Sequence, residues 1–420
     1  MAKIRKIQPQ IKNTGAATIA ASRLVPTIQK VENFLSKQFR FRYNEVTGKV
    51  EWQHLIGDIE YRPISDFQIN SMARKLNKAG IVCGGSLIRN VLLSDYTPVY
   101  NPFKQYLDNL PQWDGETDYI FELAATVSTT NDTLWQMCFC KWIVAMVGSL
   151  LQDDVVNHTV IVFSGNQGIG KTTWILNLVP TQLKEYCFSG TINPGNKDTL
   201  IQLSECMLIN MDELESLNRN ELGIMKEMIT KASIRMRRPY GYSTETMPRR
   251  ASFAGSVNGK EFLSDTTGSR RFLCFEAMAI YYKHKVPLHG VFAQALHLFQ
   301  NGFQFWFSPS DVDAINKNNE QYRFMPVEEE LLLAHFEPCE VENADYLFST
   351  TELVNWFSNK VKMNVSDAAK QKVGKALRAN NFLRVKRQDR YVYALKETEP
   401  ELVSNPNYFS SSADEISVSG

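Results

Sequence analysis

The chain has 420 residues, of which 44% are hydrophobic and 22% charged, as in a soluble globular protein of roughly two or three domains. This composition excludes a fibrous, collagen-like or wholly disordered protein. The 46 Lys and Arg residues balance 45 Asp and Glu residues, so attraction to a polyanion must come from local clusters of charge. The seven cysteines are scattered without a CxxC pair and no secretory leader is recognised, which predicts free thiols in a cytoplasmic protein.

The N-terminal part divides into a basic tail and an accessory region. Residues 1–30 carry six basic and no acidic side chains, and we interpret them as a flexible tail. A nucleic-acid-binding arm is the alternative, because clustered cations attract phosphate. Residues 31–97 form the accessory region, in which alternating runs around Thr47 and Gly48 predict a hairpin and Asp66 to Ala79 a helix.

Residues 98–155 are expected to form a helical layer that ends in a strongly apolar stretch between Asp132 and Asp153. Lys141 interrupts this stretch and leaves 11 uncharged residues after it, whereas a bilayer span needs roughly 20. We therefore predict a buried helix and no membrane insertion. Cys138 and Cys140 are two residues apart and would face different sides of that helix, which argues against a metal site.

A glycine-rich loop supplies the strongest functional signal. The sequence GNQGIGKT follows an apolar run that predicts a strand and precedes a predicted helix, which is the context that a P-loop requires. Glycines leave the backbone N–H groups bare, so that they can approach phosphate oxygens closely. Lys171 would reach the β- and γ-phosphates of ATP, and the Thr172 hydroxyl would bind Mg²⁺. The predicted nucleotide-binding residues are Gly165, Asn166, Gln167, Gly168, Ile169, Gly170, Lys171, Thr172 and Thr173.

A second predicted strand, from Cys206 to Met211, ends in two adjacent carboxylates. Asp212 at the strand end would hold Mg²⁺ or its water shell, and Glu213 would orient and deprotonate the attacking water. Asn210 is an unexpected polar residue inside this apolar strand, and the sequence offers no reason for it.

Two further elements follow in the chain. The strand-like run from Ser252 to Val257 closes on Asn258, whose amide could hold the lytic water or the γ-phosphate. The segment from Asp265 to Phe272 contains Arg270 and Arg271, one of which could neutralise charge at a neighbouring subunit's site as an arginine finger. The sequence does not decide between these two arginines.

These elements, in this order, resemble the superfamily 3 helicase-like AAA+ ATPases, and more closely the virulence-associated protein E family, over roughly residues 98–340. Supporting matches are NPFKQYLDNLPQWDG, RMRRPYG and FLSDTTGSRRF. The resemblance implies a protein of phage-like or other mobile elements that acts in their replication, often beside a primase domain. Residues 1–97 are too few for a polymerase-type primase, so a separate primase is the expected partner.

The interval between the acidic pair and Asn258 is the most basic part of the core. Its cationic residues are Lys226, Lys231, Arg235, Arg237, Arg238, Arg249 and Arg250. In the superfamily that it resembles, this interval forms a hairpin in a central pore. Arg237 and Arg238 there would grip the DNA backbone while Tyr240 or Tyr242 stacks on a base. The alternative is that these arginines pair with acidic residues or reach the nucleotide bound to a neighbouring subunit.

The C-terminal part has a charge signature of its own. Residues 345–396 predict two helices and a hairpin, the outline of a winged helix, and residues 350–396 hold 11 Lys or Arg against three acidic residues. Lys370, Lys375 and Arg378 could lie along a DNA groove. A solvated face of a protein-interaction module is the alternative. Residues 397–420 are acidic and Ser-rich, and we expect a disordered tail.

The sequence thus predicts an α/β protein: a helical N-terminal layer, a P-loop AAA+-like ATPase core with a parallel sheet and lid over residues 156–340, and a C-terminal winged helix. The predicted function is that of an ATP-dependent DNA helicase or replication motor that works as a homo-oligomeric ring, with a hexamer expected. An ATP-regulated DNA-binding initiator or regulator without unwinding activity is the alternative. A small-molecule P-loop kinase would leave the Asn258 strand, the paired arginines and the basic C-terminus without a role.

We expect the Glu213→Gln variant to bind ATP as the unchanged chain does and to lose ATP hydrolysis, because an amide cannot accept the proton of the attacking water. Nucleotide affinity and steady-state phosphate release measure the two effects separately. Normal turnover in this variant would refute the assignment of Glu213 as the base.

Overall fold

The structure is a computed structural model that describes residues 25–57, 60–193, 196–212, 214, 219–238, 241, 243–259, 262–263, 269–362, 364–387 and 390–398. Glu213, Tyr240, Tyr242, residues 264–268, residues 1–24 of the predicted N-terminal tail and residues 399–420 of the predicted C-terminal tail lie outside these residues.

The accessory region folds as a small sheet covered by helices. Its elements are α1 (Thr27–Ser36), β1 (Phe39–Asn44), β2 (Lys49–His54), β3 (Arg62–Pro63), α2 (Asp66–Lys78), α3 (Gly85–Leu92) and β4 (Val99–Tyr100). The strand order is β3-β2-β1-β4, with β1 and β2 antiparallel and joined by a four-residue turn. The predicted hairpin and the predicted helix at Asp66 are therefore confirmed.

The turn between β1 and β2 is shaped by Asn44. Its side-chain oxygen accepts hydrogen bonds from the backbone N–H groups of Val46 (3.1 Å) and Thr47 (3.2 Å), as in an Asx turn. Gly48 closes the turn with a φ of +67°, a conformation that favours glycine. Val46 is thereby directed away from the accessory region and packs into the main core of the protein.

The helical layer joins the accessory region to the central sheet. It consists of α4 (Pro102–Asp108), α5 (Tyr119–Ala124), β5 (Val127–Thr129) and α6 (Asp132–Leu151). Among the described residues, α6 alone is long and apolar enough to cross a membrane, and 72% of its apolar window is buried inside the protein. It packs against a later helix, Leu288–Gln300, which confirms the prediction of a buried core helix.

A six-stranded sheet forms the centre of the molecule. The elements of this part are β6 (Val160–Ser164), α7 (Lys171–Asn177), β7 (Cys187–Gly190), α8 (Lys197–Glu205), β8 (Leu208–Met211), α9 (Arg219–Thr230), β9 (Ser233–Met236), β10 (Glu245–Pro248), β11 (Ser252–Ser256), β12 (Phe272–Ile280), α10 (Leu288–Gln300) and α11 (Pro309–Asn319). The sheet order is β5-β12-β6-β11-β8-β7; all neighbours are parallel except β5, which lies antiparallel at the edge. The predicted mixed α/β class with a parallel sheet is confirmed.

Both faces of this sheet are buried, as the apolar strands require. Along β6, Ile161 and Phe163 face the layer of α6, α7 and α10, whereas Val160 and Val162 face α8 and α9. This alternation follows the two-residue period of a strand. The sheet is therefore the middle layer of three.

The parallel strands give the sheet two chemically different ends. β6, β8 and β11 all finish at the carboxyl end, where the glycine loop begins. The hairpin of β9 and β10, which pair antiparallel, and the short helical turn Ser269–Arg271 lead into β11 and β12 at the opposite, amino end. We refer below to the carboxyl end and the amino end of the sheet.

The C-terminal unit has its own core. Its elements are α12 (Val327–His335), β13 (Phe336–Pro338), β14 (Tyr346–Phe348), α13 (Thr350–Val361), α14 (Asp367–Ala379), β15 (Arg384–Arg387) and β16 (Arg390–Glu397). The two predicted helices and the predicted hairpin are present. The unit also includes α12 and β13, whose Leu332 and Phe336 join its core, so it begins upstream of the expected start at residue 345.

Arg249 is a buried cation that ties α9 to the amino end of the sheet. The residue is 1% exposed, and its guanidinium donates to the carbonyls of Lys231 (3.0 Å), Ile229 (2.9 Å), Asn157 and Ala251. Burial lowers its pKa to about 9, which still leaves it charged at neutral pH. Carbonyls at a helix end attract a positive charge, so this contact fixes α9 against the start of β6.

Replacing Arg249 with Met should lower the free energy of unfolding by about 3 kcal/mol, because the substitution leaves buried carbonyl groups without donors. Chemical denaturation would measure the loss. Arg235→Met is the matched control, since Arg235 lies exposed in β9 and its replacement should change stability by less than about 0.5 kcal/mol. Equal effects of the two substitutions would contradict the assignment.

Candidate functional site

The glycine loop connects β6 to α7 at the carboxyl end of the sheet. β6 ends at Ser164, and α7 starts at Lys171 with Gly170 as its N-cap. Gly170 has a φ of +97°, and a Cβ at this position would overlap the ring of Tyr282. Gly168 has a φ of +84° but open space around it. Tyr282 therefore lies against the last glycine of the loop and supports its shape.

The Lys171 side chain is folded back onto this loop. Its Nζ donates to the carbonyl oxygens of Gly165 (2.7 Å) and Asn166 (2.9 Å), and the residue is buried. Two loop carbonyls thus hold the cation at the mouth of the loop. An anion that enters the loop would compete with these carbonyls for the ammonium group.

Asp212 lies opposite the loop, one residue after the end of β8. Its Oδ1 accepts a hydrogen bond from the Thr172 hydroxyl at 3.4 Å and from the Asn210 amide at 2.9 Å. Its Oδ2 accepts from the Ser189 hydroxyl at 3.2 Å. The predicted metal-binding pair, Thr172 and Asp212, is therefore in direct contact.

A cavity of about 430 Å³ opens between the loop and the ends of β8 and β11. Asn258 follows β11 and reaches the same cavity, as does Ser256. The complete lining is Gln167, Gly168, Gly170, Lys171, Thr172, Thr173, Asp212, Ser256 and Asn258. The structure thus brings together side chains that the sequence predicts from three separate segments.

The other predicted nucleotide-binding residues have different positions. Gly165 and Asn166 contribute the carbonyls that hold Lys171, and Ile169 packs against the apolar core beneath the loop. Glu213, the predicted base, lies outside the described residues.

Arg270 and Arg271 lie at the other end of the sheet. Phe272, the first residue of β12, pairs with Val160 at the start of β6, so these arginines are about 13 Å along the strand from Ser164. Arg270 is exposed and Arg271 is half-buried near His158, whose pKa is lowered by burial, by Arg249 and by Arg271. Neither arginine lines the cavity of its own chain.

Arg238, predicted to contact DNA, has a different role in the structure. Its guanidinium pairs with Glu205 (2.9 Å) and Glu245 (3.3 Å) and donates to the carbonyl of Val46 (3.0 Å). Burial raises the pKa of Glu205, and Arg238 opposes this rise. Because its donors serve these contacts, Arg238 is not placed to grip DNA. Arg237 next to it is exposed, and Tyr240 lies outside the described residues.

The predicted DNA-binding residues of α14 differ in their surroundings. Lys375 and Arg378 are exposed on one side of the helix, whereas Lys370 forms an ion pair with Asp367 at 3.0 Å. The apolar residues Val373 and Leu377 of the same helix face the core of the C-terminal unit.

Sequence reasoning missed four residues of the site: Ser189, Asn210, Ser256 and Tyr282. For Asn210 a signal was present, because residues two apart in a strand share a face and Asp212 is two positions later. Ser189 and Tyr282 reach the site only through strand pairing and loop packing, which no local pattern reveals.

Comparison with known proteins identifies one family. Residues 107–324, just over half of the chain, match the virulence-associated protein E-like domain. A solved structure described as the apo structure of the NrS-1 C terminal region has 13% sequence identity and a TM-score of 0.45, covering 89% of this chain and 99% of that one. The A form apo structure of the same region has 13% identity and a TM-score of 0.45, with coverages of 88% and 98%. No curated protein matches the chain.

The contact between Gly170 and Tyr282 is open to a direct test. Gly168→Ala should lose about 1 kcal/mol of stability from its positive φ alone, whereas Gly170→Ala should lose at least about 1 kcal/mol more because of the ring. Combining Gly170→Ala with Tyr282→Ala should remove the extra loss, as a double-mutant cycle measures by denaturation. Equal losses for the two glycines would contradict the packing described.

Proposed function

Because the chain belongs to the family of virulence-associated protein E-like domains, we propose that it is an ATP-hydrolysing motor that acts on DNA in the replication of a mobile element. The observation that carries this proposal is a single cavity lined by Lys171, Thr172, Asp212 and Asn258. These residues follow three neighbouring parallel strands, which is where nucleotide sites form in open α/β sheets.

The glycine loop is suited to a triphosphate. The cavity volume of about 430 Å³ lies within the range of small-molecule sites, roughly 300–1,000 Å³. The loop in a P-loop ATPase offers backbone N–H groups to phosphate oxygens, and the glycines here keep side chains out of that space. On binding, Lys171 would exchange the carbonyls of Gly165 and Asn166 for phosphate oxygens, a stronger charge-assisted contact.

The residues present also fit Mg²⁺. Thr172 and Asp212 supply a hydroxyl and a carboxylate in mutual contact, the hard oxygen donors that this ion prefers. Among the described residues there is no group of three His, Cys, Asp or Glu side chains that could hold a metal by themselves. This agrees with Mg²⁺ sites that use one or two protein oxygens together with phosphate and water. The bound ion would neutralise charge on the triphosphate.

Glu213 and Asn258 are the proposed water-handling residues. Glu213 follows Asp212 directly in the chain and would take the proton of the attacking water, an assignment that rests on the sequence. Asn258 lies at the cavity on the next strand of the sheet, where its amide would orient that water or the γ-phosphate.

A ring of subunits would explain the position of Arg270 and Arg271. Both lie at the amino end of the sheet, away from the cavity of their own chain, so they would serve a neighbouring cavity. Arg270 is the more exposed of the two and is the better placed to cross an interface. An AAA+-type homohexamer is the assembly that we propose, with ATP bound between subunits.

Two basic surfaces are proposed to contact DNA. Arg237 lies exposed at the end of the β9–β10 hairpin, and Lys375 and Arg378 lie exposed on α14. We propose that helices α13 and α14 and the β15–β16 hairpin act as a winged helix, with the second helix entering the major groove. Priming would fall to a separate protein.

The deciding experiment measures ATP hydrolysis and strand separation on forked DNA with Mg²⁺. Wild-type chain should hydrolyse ATP, and Lys171→Ala should reduce turnover by roughly 100-fold or more, because the phosphate charge loses its main partner. Lys184→Ala is the matched control: this lysine is exposed, binds the Leu176 carbonyl and should leave turnover unchanged. Failure of the wild-type chain to bind or hydrolyse ATP, even with DNA present, would refute the proposal.

The same assay separates the motor from the alternative function. Unwinding that depends on ATP supports the motor. ATP-dependent binding to forked DNA without strand separation would instead favour an initiator or regulator.

A further inference from the structure

Asn210 occupies a position in β8 where an apolar residue is expected. It is fully buried, and it pairs with Ser189 of β7 on one side and with Ala254 of β11 on the other. Leu208, two residues earlier, packs into the core on the same face of the sheet, whereas Ile209 and Met211 face the opposite layer. Asn210 therefore lies on the face that carries Asp212 and is covered by α7.

Both donors of the Asn210 amide are used at the site. Its Nδ2 donates to Asp212 Oδ1 and to Ser189 Oγ, each at 2.9 Å. Ser189 in turn donates to Asp212 Oδ2 at 3.2 Å. The three side chains form a closed triangle of hydrogen bonds, in which one oxygen of the carboxylate is held by the amide and the other by the hydroxyl.

The orientation of this amide follows from its neighbours. An ionised carboxylate has no proton to donate and acts only as a hydrogen-bond acceptor. The NH₂ group of Asn210, and not its carbonyl oxygen, must therefore face Asp212. As a result, Asn210 Oδ1 is buried with no hydrogen-bond partner. A buried acceptor without a partner opposes folding, and its presence here requires a compensating role for the amide.

We infer that Asn210 and Ser189 are positioning residues that hold the Asp212 carboxylate in the orientation required for Mg²⁺-bound ATP. This inference rests on the proposed function of the cavity. Asp212 is only half-buried, so without these two donors its side chain would be held only by the longer contact with the Thr172 hydroxyl (3.4 Å). A carboxylate that is already oriented binds its ligand at a lower entropic cost.

The arrangement leaves a specific part of Asp212 available. Oδ1 is engaged by Asn210 from within the sheet and by Thr172 from α7, and Oδ2 is engaged by Ser189 from the edge strand β7. The carboxylate is therefore held by two donors from the sheet and one from α7, and it lines the cavity. Partners that orient a metal-binding group in this way contribute to metal affinity even though they do not touch the ion.

The test uses Asn210→Leu, which keeps the approximate volume and removes the donors, and Ser189→Ala, which removes one hydroxyl from an exposed residue. Mg²⁺ titrations of ATP hydrolysis give the midpoint concentration. Independently of turnover, the affinity for a fluorescent non-hydrolysable ATP analogue is measured with and without Mg²⁺. We expect the Asn210→Leu midpoint to rise about tenfold, and the analogue to lose most of its Mg²⁺-dependent gain in affinity but not its Mg²⁺-independent affinity.

Two comparisons separate positioning from general damage to the fold. Asn157→Leu is the matched control, because Asn157 is buried at the amino end of the sheet, where its amide donates to the Trp142 carbonyl (3.1 Å) and Ser252 Oγ (3.0 Å). It should reduce stability and leave the Mg²⁺ midpoint unchanged. Ser189→Thr retains a hydroxyl and should restore the wild-type midpoint that Ser189→Ala loses.

The results of these measurements test the positioning role of Asn210 and Ser189 separately from the proposed ATP-binding function. Raised Mg²⁺ midpoints for Asn210→Leu and for Ser189→Ala support the inference. If the double variant raises the midpoint by less than the product of the two single effects, the two residues belong to one network. Wild-type midpoints for Asn210→Leu and Ser189→Ala would overturn the inference and leave the proposed function intact. Should Asn210→Leu fail to fold, the Ser189 pair of variants decides alone. A wild-type chain that binds no ATP would overturn both.

Discussion

The parallel pairing of β6, β11 and β8 determines where the residues of the candidate nucleotide site lie. Parallel strands in register end together, so the glycine loop, Asp212 and Asn258 converge at one end of the sheet although more than ninety residues of sequence separate the first from the last. Burial of both sheet faces keeps the strands in register, because a slip by one residue would turn every apolar side chain to the wrong layer. The convergence therefore depends on the core and not on any contact within the cavity.

The same pairing separates two kinds of residue within one subunit. The anion-facing residues lie at the carboxyl end, whereas Arg270, Arg271 and the basic hairpin lie at the amino end. β11 runs directly between them, from the buried Arg249 and Arg250 before it to Asn258 after it. In the proposed motor, β11 would therefore connect the nucleotide site directly to the β9–β10 hairpin.

Much of this arrangement could be predicted from the sequence, and the limits have physical causes. The glycine loop, the buried helix α6 and the strand ending at Asp212 carry local patterns of spacing and hydrophobicity that specify their structure. The sequence predicts a DNA contact for Arg238, because a basic run does not reveal which of its members meet acidic partners. The partners Glu205 and Val46 are distant from Arg238 in sequence. Ser189 and Tyr282 belong to the site only through tertiary contacts. Asn210 is unexpected in the sequence of β8. Its role becomes visible only when β7 brings Ser189 next to it.

The turn shaped by Asn44 contacts Arg238, which follows β9 in the connection between β9 and β10. Arg238 donates to the Val46 carbonyl and packs against Gly48, while the Asn44 amide donates to Tyr186 Oη at 2.8 Å and to Glu51 at 2.7 Å. In the proposed motor, a movement of the hairpin on ATP hydrolysis would either break these hydrogen bonds or move the accessory region together with the hairpin. In the second case the moving part of the protein would include α1, which begins at Thr27. A protein bound to the accessory region would then move with it.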